Sequence, residues 1–262
     1  MAFLQMNYHS DALKMGVSVN VILPEKAKTL IGMDTGSISA SSYKTLYLLH
    51  GLSDDHSIWM RRTSIERYAN DYGIAVVMPC VARSWYTDTK YGAKYLTFIT
   101  QELPDVCRSY FRGMSDNRED TLIAGLSMGG YGAIKASLLC PERFGACASL
   151  SGALDISYTG RIINIDEWRG IFGFDLNSPA ELKGSEHDIF SIAQSNSEKN
   201  RPFPKIYMWC GESDRLVDTN RDFHSLLTQF GIKHLYEESE GNHSWKWWDL
   251  HIQDALHYLL DN

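Results

Sequence analysis

The sequence predicts an α/β fold, in which a mostly parallel central sheet is flanked by helices. Short apolar runs alternate with longer segments of helical periodicity along the chain. Hydrophobic residues make up 44% of the 262 residues, so the chain has enough apolar side chains for a large core. The alternation continues to the last predicted helix without a linker-like break, and residues 1–262 are therefore predicted to form a single domain.

The predicted strands are the short apolar runs. They lie, in chain order, at residues 17–23, 45–49, 74–79, 121–126, 147–150 and 206–210, and a further short strand is predicted at residues 234–238. Continuous apolar runs of this length are typical of parallel strands that are buried on both faces. A glycine- and serine-rich stretch at residues 32–42 is predicted to be a loop that joins the first strands.

Helices are predicted between the later strands and near the end of the chain. An alanine-rich run at residues 130–139 and a segment at residues 220–230 have helical character. The last predicted helix has one apolar face, formed by Trp245, Trp248, Ile252, Ala255, Leu256 and Leu259. Residues 153–201 interrupt the alternation, and we interpret them either as a small cap insertion over a site or as an ordinary surface excursion.

A glycine-flanked serine lies between one predicted strand and the helix that follows it. Residues 125–129 read Gly-Leu-Ser-Met-Gly, between the strand at 121–126 and the helix at 130–139. On a sharp strand-to-helix turn, small residues two places before and after the serine allow a strained backbone that exposes the hydroxyl. We interpret Ser127 as a nucleophile, against the alternative of a glycine-rich turn with an incidental serine.

A serine hydroxyl becomes a good nucleophile only when a base removes its proton. In hydrolases with this kind of turn, an acid follows a later strand and a histidine precedes the last helix. Asp214 comes soon after the strand at 206–210, and His243 lies in the loop before the last helix. We choose these two residues, with Glu212 and Asp218 as the alternatives for the acid.

The loop after the strand at 45–49 is predicted to contribute to an oxyanion hole. We assign the two backbone N–H donors to Leu52 in this loop and to Met128 after the nucleophile. His50, at the end of the strand, is expected to orient the loop by a hydrogen bond, and His56 to be a solvated loop residue. Six further histidines are expected at surface or helix positions without a motif: His9, His187, His224, His234, His251 and His257.

Four short segments together resemble the esterase D group of α/β-hydrolases. They are His50-Gly51, Ser-Trp-Tyr-Thr-Asp at 84–88, the glycine-rich run at 125–132, and Ser-Gly-Ala-Leu at 151–154. Within that group the chain is most similar to the bacterial tributyrin esterases, which are relatives of the S-formylglutathione hydrolases. The resemblance implies an α/β-hydrolase fold, hydrolysis of short acyl esters, and a catalytic triad of Ser127, Asp214 and His243. We expect acetyl to butyryl esters to be preferred, because bulky side chains leave room for only a short acyl pocket.

One loop departs from the thioester hydrolases of this group. They usually carry a cysteine-containing loop after the early strand, whereas this chain has Gly-Leu-Ser-Asp-Asp at residues 51–55. The departure favours an oxygen-ester substrate, with S-formylglutathione hydrolase as the alternative function. A catalytically silent binding protein with the same fold is a third hypothesis, and the complete order of serine, acid and histidine argues against it.

Two tryptophans are candidate substrate-binding residues. Trp85 follows the strand at 74–79, where a loop would hang over the nucleophile, and we expect it to form a wall of the acyl pocket. Further candidates for the pocket or for the alcohol side are Trp245, beside the histidine loop, and Trp59 and Trp168. The alternative for each of them is simple packing on the core.

Composition and charge argue against a nucleic-acid-binding, a secreted, a membrane or a metal-binding protein. A net charge of −7 without a basic stripe opposes nucleic-acid binding. The N-terminal residues lack a signal-peptide pattern and no apolar run approaches membrane-spanning length, so we expect a cytoplasmic protein that binds no membrane. Five cysteines without a metal-like spacing predict neither disulfides nor a metal site. No cofactor is expected, the expected partner is a small-molecule ester, and homo-oligomerisation is left open.

Overall fold

The computed structural model describes residues 1–25, 42–159, 164–173 and 176–260. Its strands are β1 (Ala2–Ser10), β2 (Met15–Leu23), β3 (Thr45–Leu49), β4 (Ala75–Pro79), β5 (Thr121–Leu126), β6 (Ala146–Leu150), β7 (Lys205–Gly211) and β8 (His234–Ser239). They pair in the order β1-β2-β4-β3-β5-β6-β7-β8. The pairs β1–β2 and β2–β4 are antiparallel and the others are parallel. The predicted fold class, a mostly parallel sheet flanked by helices, is confirmed.

The helices of the described ranges lie between the strands and after β8. They are α1 (Ile58–Arg62), α2 (Ile65–Tyr72), α3 (Tyr95–Thr97), α4 (Leu103–Tyr110), α5 (Met128–Leu139), α6 (Ile156–Thr159), α7 (Ile165–Phe172), α8 (Ile189–Glu198), α9 (Val217–Gln229) and α10 (Trp245–Leu260). A π-helical stretch, Phe98–Glu102, joins α3 to α4, and short 3₁₀ turns lie at Arg118–Asp120 and Pro179–Leu182. The helix predicted at 220–230 begins earlier, at Val217, and the alanine-rich helix is α5.

Strand β1 is missing from the prediction because its residues do not form a continuous apolar run. Leu4, Met6 and Tyr8 are partly buried, whereas Gln5 and Asn7 between them are exposed. This alternation with a period of two is the signal of a strand that is covered on one face only. Pairing with β2 along its whole length then makes β1 the edge of the sheet.

The core forms two layers, one on each face of the sheet. Successive strand residues point to opposite faces, so that Tyr47 and Ile123 belong to one layer and Leu46 and Leu122 to the other. Helices α4, α5, α8 and α9 cover the first face, and α1, α2 and α10 cover the second. Burial on both faces explains why β3 to β7 consist mostly of apolar residues.

Strand β3 lies where the order of the strands reverses. The chain forms β4 on one side of β3 and later returns to form β5 on the other side. In open α/β sheets, ligands bind outside the carboxyl ends of the strands at such a point. From the topology, a ligand site is therefore expected at the loops that follow β3 and β5.

Other expectations concern loops, cysteines and metal sites. The loop predicted at residues 32–42 lies outside the described residues, apart from Ser42. All five cysteines are described and are free thiols. Within the described ranges, no three His, Cys, Asp or Glu side chains are grouped to hold a metal ion. The search of the same ranges finds no helix that is both long and apolar enough to cross a membrane.

Candidate active site

The predicted site residues meet at the carboxyl edge of the sheet. The loops after β3, β5, β7 and β8 carry Leu52, Ser127, Asp214 and His243, in that order. The segment after β6 joins them, because the N–H of Ala153 donates to the carbonyl oxygen of Ser127 at 3.1 Å. Residues that are far apart in the sequence are thus brought to one place by five parallel strands.

Ser127 lies on a strained turn between β5 and α5. Its backbone has φ 53° and ψ −116°, a conformation that non-glycine residues rarely adopt. A Cβ atom on Gly125 would collide with the backbone of Gly129, and one on Gly129 would collide with the carbonyl oxygens of Leu49 and His50. The two motif glycines are therefore required by close backbone contacts, as the sequence predicts.

The side chains of Ser127, His243 and Asp214 form a continuous hydrogen-bonded chain. Nε2 of His243 lies 3.0 Å from Oγ of Ser127. Nδ1 of the same ring lies 2.9 Å from Oδ2 and 3.1 Å from Oδ1 of Asp214. A carboxylate can only accept a hydrogen bond, so Nδ1 carries the proton and Nε2 presents its lone pair to the serine hydroxyl. This tautomer is the one that a base for Ser127 requires.

The carboxylate of Asp214 is enclosed by the protein. Its side chain has 0% exposure, and Oδ1 accepts a hydrogen bond of 2.9 Å from the N–H of Leu216. Burial by itself would raise the pKa of this carboxyl, but the hydrogen bond and attraction from His243, with the Leu216 N–H, outweigh burial and lower its pKa. Asp214 therefore carries its negative charge against the ring of His243.

The two other candidates for the acid lie elsewhere. Glu212 is exposed on the turn after β7. Asp218, on the first turn of α9, is also exposed, and its Oδ1 forms an ion pair of 3.1 Å with Nη1 of Arg221. Of the three acids, Asp214 is the one whose carboxylate contacts His243.

Two backbone N–H groups are free near Ser127. Met128 is the first residue of α5, and the first N–H groups of a helix have no acceptor within the helix. Leu52 follows β3 and lines the same cavities as Ser127. In the described part of the chain, neither N–H has a hydrogen-bond acceptor. Both donors that the sequence predicts for an oxyanion hole are therefore available.

His50 orients the loop after β3, as expected. Its Nδ1 lies 2.7 Å from the carbonyl oxygen of Gly51, and its Nε2 accepts a hydrogen bond of 3.1 Å from the N–H of Val81. Burial lowers the pKa of His50, which keeps the ring neutral in this structural role. His56 is half-buried rather than fully solvated.

His187, which is expected at a surface or helix position without a motif, lies in the turn before α8, and most of its side chain is buried. Its side chain is 13% exposed and packs edge-on against Phe172, with ring centroids 4.8 Å apart. Nδ1 of His187 lies 3.3 Å from Nζ of Lys135, and its carbonyl oxygen accepts a hydrogen bond from the hydroxyl of Tyr131. Burial, with the positive charge of Lys135, lowers the pKa of His187 to about 3. The sequence around His187 gives no sign of this because its partners come from distant helices, Lys135 and Tyr131 from α5 and Phe172 from α7.

Two cavities meet at Ser127. One has a volume of about 470 Å³ and is lined by Trp85, and we call it the Trp85 cavity. The other has a volume of about 450 Å³ and is lined by His243 and Trp245, and we call it the Trp245 cavity. Leu52 lines both. A larger cavity, of about 610 Å³, lies at the amino-terminal ends of β7 and β8 and contains none of the predicted site residues.

Trp85 is held rigidly where it meets its cavity. Its side chain is 1% exposed, and it packs edge-on against Tyr131 and Trp168 at centroid distances of 5.8 and 5.2 Å. Thr87 donates a hydrogen bond to the carbonyl oxygen of Trp85, which fixes the backbone as well. Trp85 is therefore both a packed core residue and a wall of the cavity.

Trp245 belongs to a second aromatic group, around His243. It packs edge-on against Trp59 at 5.2 Å and against Trp248 at 5.3 Å. Trp248 in turn packs perpendicular to the ring of His243, and its Nε1 donates to Oγ of Ser151. Trp248, which the sequence places only on the apolar face of α10, thus helps to hold the imidazole.

Comparison with known proteins agrees with this architecture. The family model described as "Putative esterase" matches residues 10–259. An acetyl esterase from Caldicellulosiruptor saccharolyticus is 35% identical over 269 aligned residues, which cover 99% of this chain and 98% of the relative.

Solved structures from Staphylococcus aureus are similar over the whole chain. FphF, a fluorophosphonate-binding serine hydrolase in a substrate-bound state, superposes with a TM-score of 0.89 at 35% identity, covering 100% of this chain and 99% of FphF. The apoenzyme of the S-formylglutathione hydrolase FrmB gives a TM-score of 0.86 at 34% identity, with 99% of each chain covered. The family match, the relative and these structures agree with the resemblance predicted from the sequence, and the chain belongs to this esterase family.

Proposed function

We propose that this carboxylesterase hydrolyses short-chain acyl esters, from acetyl to butyryl, through an acyl-enzyme on Ser127. The observation that carries the proposal is the hydrogen-bonded chain in which His243 contacts Ser127 through Nε2 and Asp214 through Nδ1. The similarity to an acetyl esterase supports the same substrate class.

The proposed reaction is a two-step acyl transfer. His243 takes the proton of Ser127 while Oγ attacks the ester carbonyl carbon, and Asp214 stabilises the imidazolium that forms. His243 then gives the proton to the departing alcohol, which leaves the acyl group on the serine oxygen. A water molecule repeats these steps on the acyl-enzyme and releases the acid.

The negative charge that develops on the carbonyl oxygen needs hydrogen-bond donors. We assign this role to the N–H groups of Leu52 and Met128, since both lack an acceptor among the described residues. Met128 also benefits from its position at the first turn of α5, where the helix dipole favours negative charge.

The acyl group is assigned to the Trp85 cavity and the alcohol to the Trp245 cavity. The rigid packing of Trp85 against Tyr131 and Trp168 prevents its ring from moving aside for a long chain. A methylene that meets such a wall forces strain on a packed core. Short acyl groups, including the butyryl groups of tributyrin, are therefore the proposed substrates.

Residues 153–201 are proposed to act as a cap within a single domain of 1–262. Thr159, Asn164 and Glu167 from this segment line the Trp85 cavity. Trp168 packs on Trp85, so the segment also supports the wall of the proposed acyl pocket. A cap in this position would limit the access of bulky esters to Ser127.

The nucleophile is tested with a fluorophosphonate probe and an ester panel. We expect Ser127→Ala to fold normally, to lose labelling and to lose nearly all turnover of nitrophenyl acetate and tributyrin, because no group remains to be acylated. Ser109→Ala, which changes an exposed serine on α4, is the matched control and should label as the wild type does. Labelling of purified Ser127→Ala at the wild-type rate would remove Ser127 from the site.

Hydrolysis of S-formylglutathione is the second candidate function. The similarity to FrmB favours it, whereas the Gly-Leu-Ser-Asp-Asp loop at 51–55 departs from the cysteine-containing loop usual in those enzymes. The kcat/KM for S-formylglutathione and for nitrophenyl acetate, measured with the same enzyme preparation, separates the two. A thioester value that exceeds the oxygen-ester value by an order of magnitude or more would make the thioester the preferred substrate.

A further inference from the structure

Arg215 is an exposed cation at the junction of the two cavities. It directly follows Asp214 in the sequence, and it lines the Trp85 cavity and the Trp245 cavity together with Ser127. Among the described residues, no side chain or backbone group forms a hydrogen bond or ion pair with its guanidinium. The guanidinium is therefore available to a ligand that enters either cavity.

The other charged residues of the Trp85 cavity neutralise each other. Nε and Nη2 of Arg83 form a two-pronged ion pair with Glu167, at 2.6 and 2.9 Å. Among the described residues, Arg215 is the third charged residue of the lining, and the described lining therefore carries one positive charge in excess. In the Trp245 cavity, by contrast, the carboxylate of Asp54 opposes the charge of Arg215.

We infer that Arg215 is a specificity-determining residue that binds a carboxylate at the far end of the acyl group, so that monoesters of short dicarboxylic acids are preferred substrates. The inference rests on the proposed function and narrows its substrate class. A guanidinium presents paired N–H donors that match a carboxylate in geometry and charge.

The size of the cavity and the charge of the whole protein are consistent with this class. A succinyl group has four carbons, like butyryl, and therefore stays within the proposed length limit. The protein carries a net charge of −7, so an anionic ester is repelled by most of the surface. A locally positive cavity next to Ser127 compensates for this repulsion at the place where the ester must bind.

The test compares a charged ester with a neutral ester of similar length. For each variant, kcat/KM is measured with nitrophenyl hemisuccinate and with nitrophenyl butyrate, and the ratio of the two values is the readout. A general loss of activity cancels in this ratio. We expect Arg215→Gln to lower the ratio about tenfold relative to the wild type, the size of effect typical of a partly exposed charged hydrogen bond. Arg215→Lys should retain part of the preference.

A double variant provides the matched control. Arg83→Gln combined with Glu167→Gln removes the neighbouring ion pair and leaves the excess charge of the cavity unchanged. The ratio of this variant should stay within about twofold of the wild-type ratio if Arg215 makes the contact. A ratio that falls as far as in Arg215→Gln would mean that no single residue binds the carboxylate, which would overturn the inference.

Two further outcomes also contradict the inference and identify what failed. If Arg215→Gln retains the wild-type ratio while both esters are hydrolysed, the esterase proposal stands and the role of Arg215 is wrong. If neither ester is hydrolysed by the wild type, the proposed function fails and the inference fails with it.

The same variants show which half of the ester carries the anion. Acetyl esters of 4-hydroxybenzoate and of neutral 4-hydroxybenzamide place the difference in charge on the leaving group. We expect Arg215→Gln to change their ratio by less than about twofold, because Asp54 opposes an anion in the Trp245 cavity. A tenfold effect on this pair, with none on hemisuccinate, would overturn the assignment to the acyl side.

Discussion

Replacing the buried Lys135 should make the stability of the protein less dependent on pH. Lys135 lies on α5, next to Thr87 in the segment after β4, and it is 1% exposed. Its Nζ donates to Oγ1 of Thr87 at 2.7 Å, lies 3.3 Å from Nδ1 of His187, and lies over the ring of Tyr131 at 5.4 Å. In the described ranges, no carboxylate is within ion-pair distance of Nζ. A charged ammonium is therefore only partly compensated at this position.

The structure gives both the sign and the size of the effect. Burial lowers the pKa of Lys135 from 10.5 to about 7, although the charges of Glu186 and Asp88 act in the opposite direction. In the unfolded chain the amine keeps its ordinary pKa, so between these two pKa values the unfolded state binds more protons than the folded state. Stability then increases with pH, because deprotonation removes the cost of burying the charge.

The magnitude follows from the two pKa values. A shift from 10.5 to about 7 corresponds to about 5 kcal/mol of penalty when the lysine is protonated in both states. Between pH 7 and pH 9, the contribution of Lys135 to the free energy of unfolding should become more favourable by about 2 kcal/mol. His187, with its pKa lowered from 6.5 to about 3, stays neutral in the folded state over this interval, and its titration in the unfolded chain adds only about 0.2 kcal/mol.

The assay is urea denaturation of the wild type and of Lys135→Met at pH 7, 8 and 9. The free energy of unfolding of the wild type, minus that of the variant, should rise by about 2 kcal/mol over this interval. Titrating groups that do not interact with Lys135 are present in both proteins and cancel in the difference. Lys183→Met, at an exposed position, is the control and should show no such drift. Parallel pH profiles for the wild type and Lys135→Met would refute the reasoning, since they would mean that burial does not penalise the charge.

Two further predictions concern the acid and the acyl pocket. Asp214→Asn should lower kcat by a factor on the order of 10⁴, because the histidine loses the carboxylate that fixes its tautomer. Asp218→Asn should stay close to the wild type, and the reverse order of the two variants would contradict the assignment of the acid. With nitrophenyl esters, kcat/KM should peak at roughly two to four acyl carbons and fall steeply by about eight, since each methylene gains up to about 0.8 kcal/mol only while it fits. Trp85→Ala should move the optimum to longer chains, and an unchanged profile in a folded variant would leave Trp85 with a packing role alone.

The fold and the positions of the chemically important loops could be predicted because their signals are local. A buried parallel strand is a continuous apolar run, and the turn at Ser127 requires glycines that are visible as a motif. Strand β1 gives a weaker signal because only one of its faces is covered. The alternation of Leu4, Met6 and Tyr8 with polar residues is present in the sequence, but it does not stand out as an apolar run.

The choice among three acids shows where sequence information ends. Glu212, Asp214 and Asp218 all lie near the end of β7, and all have the required carboxylate. The turn after β7 separates their three side chains. In this turn, the N–H of Asp214 donates to the carbonyl oxygen of Gly211, and the N–H of Leu216 donates to the carboxylate of Asp214. The order of residues in the chain restricts the candidates for the acid to this segment. The direction of each side chain, however, depends on hydrogen bonds that form only in the folded turn.

The net charge of the Trp85 cavity is even harder to predict from the sequence than the identity of the acid. Arg83 and Arg215 have the same side chain, and no sequence motif distinguishes one from the other. Arg83 is neutralised by Glu167, which is 84 positions away in the chain, and Arg215 has no corresponding acid in the described residues. The net effect of an arginine on a substrate depends on whether such a partner folds against it. For the same reason, the burial of Lys135 cannot be predicted from the sequence. The pattern around it is that of an ordinary apolar helix, and the amine is enclosed only because Thr87 and His187 pack against α5.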